Sequence, residues 1–161
     1  MKYLLSMQKL LLESTMKLCK GVYLAGPMAG MSGSEMKEWR EHATMDLEHA
    51  GISVLDPTRR TPYHIKSLED KGLDRNIANR IFKQDLRDIA RCEVLLVDMR
   101  NHEGVKAQGT AAEVMFAHMK HKTIIVWKNP EDHLNPFMTA MATEVHDDLD
   151  EAIQAAMEYE G

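Results

Sequence analysis

The stretch VLLVDMRNHEGVKAQGTAAEVMFAHMKHKTIIVW, residues 94–127, holds two apolar runs, Val94-Leu95-Leu96-Val97 and Thr123-Ile124-Ile125-Val126-Trp127, with a helical segment over about 110–120 between them. Continuous apolar runs of this length are the pattern of strands covered on both faces, and a helix between two of them returns the chain so that they lie parallel. Working outward, the same alternation recurs. A helix over about 76–91 precedes Val94, while Ile52-Ser53-Val54-Leu55 ends in Asp56-Pro57 and Gly21-Val22-Tyr23-Leu24-Ala25 ends in Gly26-Pro27. Between these last two runs Met36, Trp39, Ala43, Leu47 and Ala50 recur at steps of three and four, giving one apolar helical stripe that stops at Gly51. Toward the C-terminus a short fifth strand is expected around 143–145 and a closing helix over 148–159. The pattern predicts a single-domain α/β fold: a doubly wound, flavodoxin- or Rossmann-like parallel sheet of about five strands with helices on both faces, spanning 19–161. Residues 1–18 read as an N-terminal extension with the character of a short amphipathic helix.

Composition bounds the function. A chain of 161 residues suits one domain with a real core, and a net charge of −5 argues against a broad surface for a phosphate backbone. No nucleic-acid partner is expected; the expected partner is a small molecule. Cys19 and Cys92 form no Cys-x-x-Cys motif, which fits a reduced cytoplasmic setting. The eight histidines lack metal-ligand spacing and the thirteen methionines are scattered through apolar positions, so neither a metal nor another cofactor is expected. The apolar start of the chain is split by Gln8-Lys9 and lacks a cleavage site, and no run reaches the roughly 18 apolar residues of a membrane span. Residues 56–74, with two prolines and many charges, are too long for an ordinary connection and are a candidate substrate loop or lid.

In doubly wound sheets ligands bind beyond the carboxyl ends of the strands, where strand order reverses. Chemistry is therefore expected from loops 26–33 and 98–109, with 56–74 a further candidate. The first is glycine-rich, and its backbone N–H groups can hold an anion; Gly26, Met28, Gly30 and Ser32 are its candidate binding positions. The alternative is a plain strand-to-helix turn in which Ser32 or Ser34 caps the helix. The loop lacks the Gly-Lys-Ser/Thr ending of a P-loop, which disfavours phosphate transfer. Asp98 ends a strand in the same region and either contacts the ligand or turns the chain.

Two carboxylates stand out. With residues about 100° apart on a helix, Ala78, Ile81, Phe82, Leu86 and Ile89 define a buried stripe over 76–91, and Asp85 falls near its centre. An acid there is expected to face the interior, with a raised pKa suited to a general acid; the alternative is pairing with Arg80, Lys83 or another cation. Asp88 lies toward the stripe's edge and reads as solvated. The second acid is Glu113 in Gln108-Gly109-Thr110-Ala111-Ala112-Glu113. Thr-x-x-Glu at a helix start is also a capping box, but this helix begins where the ligand site is expected.

Three segments together, Val22-Tyr23-Leu24-Ala25-Gly26-Pro27-Met28, Asp85-Leu86-Arg87-Asp88-Ile89 and Gly109-Thr110-Ala111-Ala112-Glu113, resemble the nucleoside 2-deoxyribosyltransferase family, which includes deoxynucleoside 5′-monophosphate N-glycosidases. The resemblance runs over about 20–155. It implies cleavage of the N-glycosidic bond of a 2′-deoxynucleoside or its 5′-monophosphate through a covalent glycosyl-enzyme, with the sugar passed to another base or to water. It further implies Glu113 as nucleophile, Asp85 as the acid serving the leaving base, and Tyr23 as the hydroxyl holding Glu113. On that reading Tyr23 and the helix end favour ionised Glu113, while burial beside it raises Asp85. Some relatives carry an acid just before Gly109, where this chain has Lys106-Ala107-Gln108, so Gln108, with Gly109 and Thr110, becomes the candidate contact to the substrate. Loop 28–34, Arg59 and Arg60 are candidates for a 5′-phosphate. Family members also share pockets between subunits, which implies a homodimer or larger homo-oligomer with Asn135 and Thr139 as a neighbour's contribution. The alternative function is a non-catalytic nucleotide-binding module on the same fold.

Overall fold

The computed structural model describes residues 21–59 and 75–160. Five strands, β1 (Gly21–Ala25), β2 (Ser53–Leu55), β3 (Val94–Asp98), β4 (Thr123–Trp127) and β5 (Glu144–His146), form one sheet in the order β2-β1-β3-β4-β5. All four pairings are parallel, with Val22 opposite both Val54 and Val94, and Val94 opposite Thr123. The helices are α1 (Gly33–His49), α2 (Arg75–Arg91), α3 (Gln108–Met119), α4 (Pro136–Met141) and α5 (Leu149–Glu160). The chain runs outward from β1 to β2 and then from β3 to β5 in the other direction. The reversal therefore lies between β1 and β3.

The central strands are buried on both faces, so alternate residues feed separate cores. Val22, Leu24, Val94 and Leu96 pack with Trp39, Ala43 and Leu47 of α1 and Ala152, Ile153 and Ala156 of α5. Tyr23, Ala25, Leu95 and Val97 pack on the other face with Ile89 of α2, Val114 and Ala117 of α3 and Met138 of α4. The doubly wound architecture expected from the sequence is the one found.

Local differences have identifiable causes. Ser32, of the two candidate serines, caps α1 through a capping box with Glu35, and Gly51 takes φ +80° just after the helix. Helix α3 begins at Gln108, two residues earlier than expected, with Ala107 at its N-cap and no side-chain cap. Thr110 and Glu113 thus lie inside the helix and form no capping box. The segment that carries Asn135 and Thr139 forms the short helix α4; Asn135 starts it by accepting a 2.9 Å hydrogen bond from the Met138 N–H, and Pro136 occupies its first turn. In α2, Asp88 is 1% exposed rather than solvated and Phe82 is 55% exposed rather than buried. The expected N-terminal extension, 1–18, and most of the expected lid, 60–74, lie outside the described residues. Among the described residues no helix is long and apolar enough to cross a membrane.

Candidate active site

Strand alternation turns Tyr23 toward the face on which α2 and α3 pack. There the Tyr23 Oη donates a 2.8 Å hydrogen bond to Glu113 Oε1, joining β1 to α3 across 90 residues of sequence. Glu113, half-buried, and Asp85, buried on α2, both line a cavity of about 280 Å³ at the carboxyl end of β1. Asp85 acts electrostatically on both Glu113 and Tyr23. The topology thus brings together three polar groups from three separate elements.

Burial pushes the Glu113 carboxyl up to about 7; the Tyr23 hydrogen bond opposes this, Asp85 reinforces it and Arg40 opposes it. Tyr23 thus favours the ionised form as expected, but the burial of Glu113 itself, which the expectation did not include, outweighs it. Glu113 is in the second turn of α3, beyond the uncapped first-turn N–H groups, and desolvation outweighs the one hydrogen bond. Burial, followed by the charge of Glu113, raises the Tyr23 phenol well above its ordinary value, so its hydroxyl stays protonated and is a permanent donor.

Gly26, Met28, Gly109 and Thr110 also line the cavity. Gly26 is required by close approach: a Cβ there would sit 3.0 Å from Asp98 Cβ, 3.0 Å from Trp39 Cζ2 and 3.1 Å from Arg40 Nη2. Sequence reasoning missed Arg40, a fully buried cation whose Nη2 donates to the Gly26 carbonyl at 3.0 Å and Nη1 to the Met36 carbonyl at 2.6 Å. Its guanidinium also lies 3.7 Å from Asp56 and over the Trp39 ring. The signal was available, because Arg40 stands on the α1 stripe four residues after Met36 and three before Ala43.

Other expected positions lie off the cavity wall. Ser32 is engaged with Glu35, and Gly30 forms a turn at φ +86°. Gln108 is exposed at the start of α3, and Lys106 lines the cavity instead. Asp98 is fully buried and turns the chain: its oxygens accept from Arg100 Nε at 3.0 Å, Arg100 Nη2 at 2.9 Å and the Arg100 N–H at 3.0 Å. Arg59 pairs with Glu48 at 3.0 Å, and Arg60 lies outside the described residues. Asn135 lines a neighbouring cavity of about 460 Å³ that shares Pro27 with the first, and Thr139 Oγ1 donates to the Asn135 carbonyl at 3.2 Å.

Among the described residues one trio has its metal-ligating atoms within 4.8 Å of one another, His42, Asp46 and Asp150. All three are exposed, and His42 Nε2 lies 2.7 Å from Asp150 Oδ1, so the trio reads as a surface hydrogen-bonded contact tying α1 to α5 on the sheet face opposite Glu113.

The sequence matches the family model described as Nucleoside 2-deoxyribosyltransferase over residues 22–157. No curated protein matches it closely. Among solved structures, a 2-deoxyribosyltransferase from Bacillus psychrosaccharolyticus aligns with a TM-score of 0.66 at 18% identity, covering 85% of this chain and 95% of that one. A CMP N-glycosidase from Clostridium botulinum aligns with a TM-score of 0.55 at 16% identity, covering 84% and 97%. A conserved protein from Enterococcus faecalis V583 aligns with a TM-score of 0.67 at 12% identity, covering 86% and 98%. At these identities the likeness is one of fold.

Proposed function

The chain belongs to the nucleoside 2-deoxyribosyltransferase family, and on that premise we propose that it cleaves the N-glycosidic bond of a 2′-deoxynucleoside or its 5′-monophosphate in two steps through Glu113. The observation that carries the reading is the Tyr23–Glu113 hydrogen bond at the cavity that Asp85 also lines. Tyr23 engages Oε1, leaving Oε2 of ionised Glu113 to attack the anomeric carbon as the bond to the base breaks. The electron pair of that bond passes to the base nitrogen, which takes the proton of Asp85. In the second step water or another base attacks the same carbon, surrendering a proton to Asp85 as the Glu113 ester leaves. Two inversions return the original anomeric configuration.

The acids have different tasks, since one must be ionised while the other holds a proton. A Glu113 pKa of about 7 leaves a large ionised fraction near neutrality, and the positive charge developing on the sugar would draw it further toward ionisation. Lys106, a cation on the cavity wall, replaces Arg59 as the candidate partner for a 5′-phosphate. The reading includes a homo-oligomer in which Asn135 and Thr139, flanking the 74% exposed Phe137, complete a neighbour's pocket, and a cytoplasmic location.

The test is incubation with a panel of deoxynucleosides and their 5′-monophosphates, with and without a second free base, following base release. Exchange of bases identifies a transferase and release alone a hydrolase. Full turnover by Glu113→Ala would remove the nucleophile, and substrates that bind without reacting would make the chain a nucleotide-binding module.

A further inference from the structure

Phe82 is the anomaly on α2. Its apolar stripe runs into the core at Ile89, which is fully buried, yet one turn before Asp85 the stripe presents a phenyl ring that is 55% exposed. Ala78, Ile81 and Phe82 all line the Glu113 cavity, so the N-terminal half of the stripe serves as a wall of that cavity. Phe82 and Asp85 are three residues apart, about 4.5 Å along the axis and on adjoining faces of one helix. Pro27 and Met28, from the loop after β1, line the same cavity.

Resting on the reading of Asp85 as the acid that serves the base, we infer that Phe82 is the stacking platform of the base subsite. Asp85 transfers its proton to a ring nitrogen in the plane of the base, which leaves the two flat faces of the base to be covered by other groups. An aromatic ring one helical turn from Asp85 is suited to one face, and the apolar surface of Pro27 and Met28 to another side. Offset stacking places ring centroids about 4.5–7 Å apart, a spacing compatible with that one-turn separation. Every nucleobase has a π-face, so this contact contributes affinity for purines and pyrimidines alike.

The experiment compares Phe82→Ala, Phe82→Leu and Phe82→Trp with the unaltered protein, measuring kcat and KM for reactive substrates and, by calorimetry, Kd for free adenine and cytosine. Phe82→Ala is expected to raise KM and both Kd values roughly 10- to 100-fold while kcat stays within about twofold. Phe82→Trp is expected to restore binding and Phe82→Leu to leave it weak. Because the ring is exposed, thermal unfolding of all three should remain close to that of the parent. Unchanged KM and Kd in Phe82→Ala would overturn the assignment. So would full rescue by Leu, which would make Phe82 a simple apolar filler, or a fall in kcat alone, which would give it a role in positioning Asp85. Base binding needs no turnover, which separates the two claims. A protein that binds bases through Phe82 but cleaves nothing refutes the proposed function alone; one that cleaves without regard to Phe82 refutes this inference alone.

Discussion

Helices α1 and α2 are both 17 residues long, and each carries a charged side chain on its buried stripe, yet the two charges face different surroundings. Arg40 is fully enclosed and spends its donors on the carbonyls of Gly26 and Met36, with Asp56 alongside. Burial lowers its pKa while Asp56 and Asp98 oppose the shift, and the guanidinium stays charged. Asp85 instead borders a cavity that also contains Glu113. A buried charge enclosed by protein on every side fastens one element to another, whereas a buried charge on a cavity wall can be reached by a ligand. Arg40 fastens the loop after β1, and Asp85 is the proposed reagent.

That contrast breaks most sharply at Asp85. Asp85→Asn keeps size and hydrogen-bonding capacity but cannot deliver the proton, so base release is expected to fall 10²- to 10⁴-fold with little change in melting temperature. A variant that melts early yet turns over normally would make Asp85 a fastener like Arg40. The converse applies to Arg40→Met, which leaves Asp56 buried beside an apolar chain. Denaturant unfolding is expected to register a loss of about 3–5 kcal/mol.

Glu113→Gln sharpens the comparison through pH. The folded pKa of about 7 exceeds the ordinary value of 4.5, so the folded state binds the proton more tightly than the unfolded one. The parent is therefore expected to lose stability as pH rises from about 4.5 to about 7, and the Gln variant to escape that loss. Above pH 7 the variant should be the more stable of the two by up to about 3 kcal/mol, measurable by denaturant unfolding across pH. The smallest effect is expected from Tyr23→Phe. Its loss removes a hydrogen bond that lowers the Glu113 pKa, so the acid limb of kcat/KM, expected near pH 7, should move upward.

Much of this architecture was legible because the central strands are continuous apolar runs; β1 and β4 have the expected bounds and β3 only one residue more. Short elements were less so. Six-residue α4 is too brief to establish a helical period, although Asn135-Pro136 is a helix-start pair, and α3 began two residues early because Ala107 supplies no side-chain cap. Periodicity marked the face of α2 that carries Asp85. It could not tell whether that face meets core or cavity, which is why Phe82 was read as buried and Asp88 as solvated. Loop positions were the least legible: Ser32 and Asp98 have polar side chains suited to a ligand, but Glu35 and Arg100, close by in the sequence, already occupy them.

The central claim is that Glu113 takes the sugar covalently. Acid-quenching the protein during turnover of a deoxynucleotide or deoxynucleoside, followed by peptide mass mapping, tests it directly. The expected result is a deoxyribosyl ester on the peptide containing Glu113, absent in Glu113→Gln along with base release. Undiminished base release by Glu113→Gln, with no adduct on either protein, would contradict it.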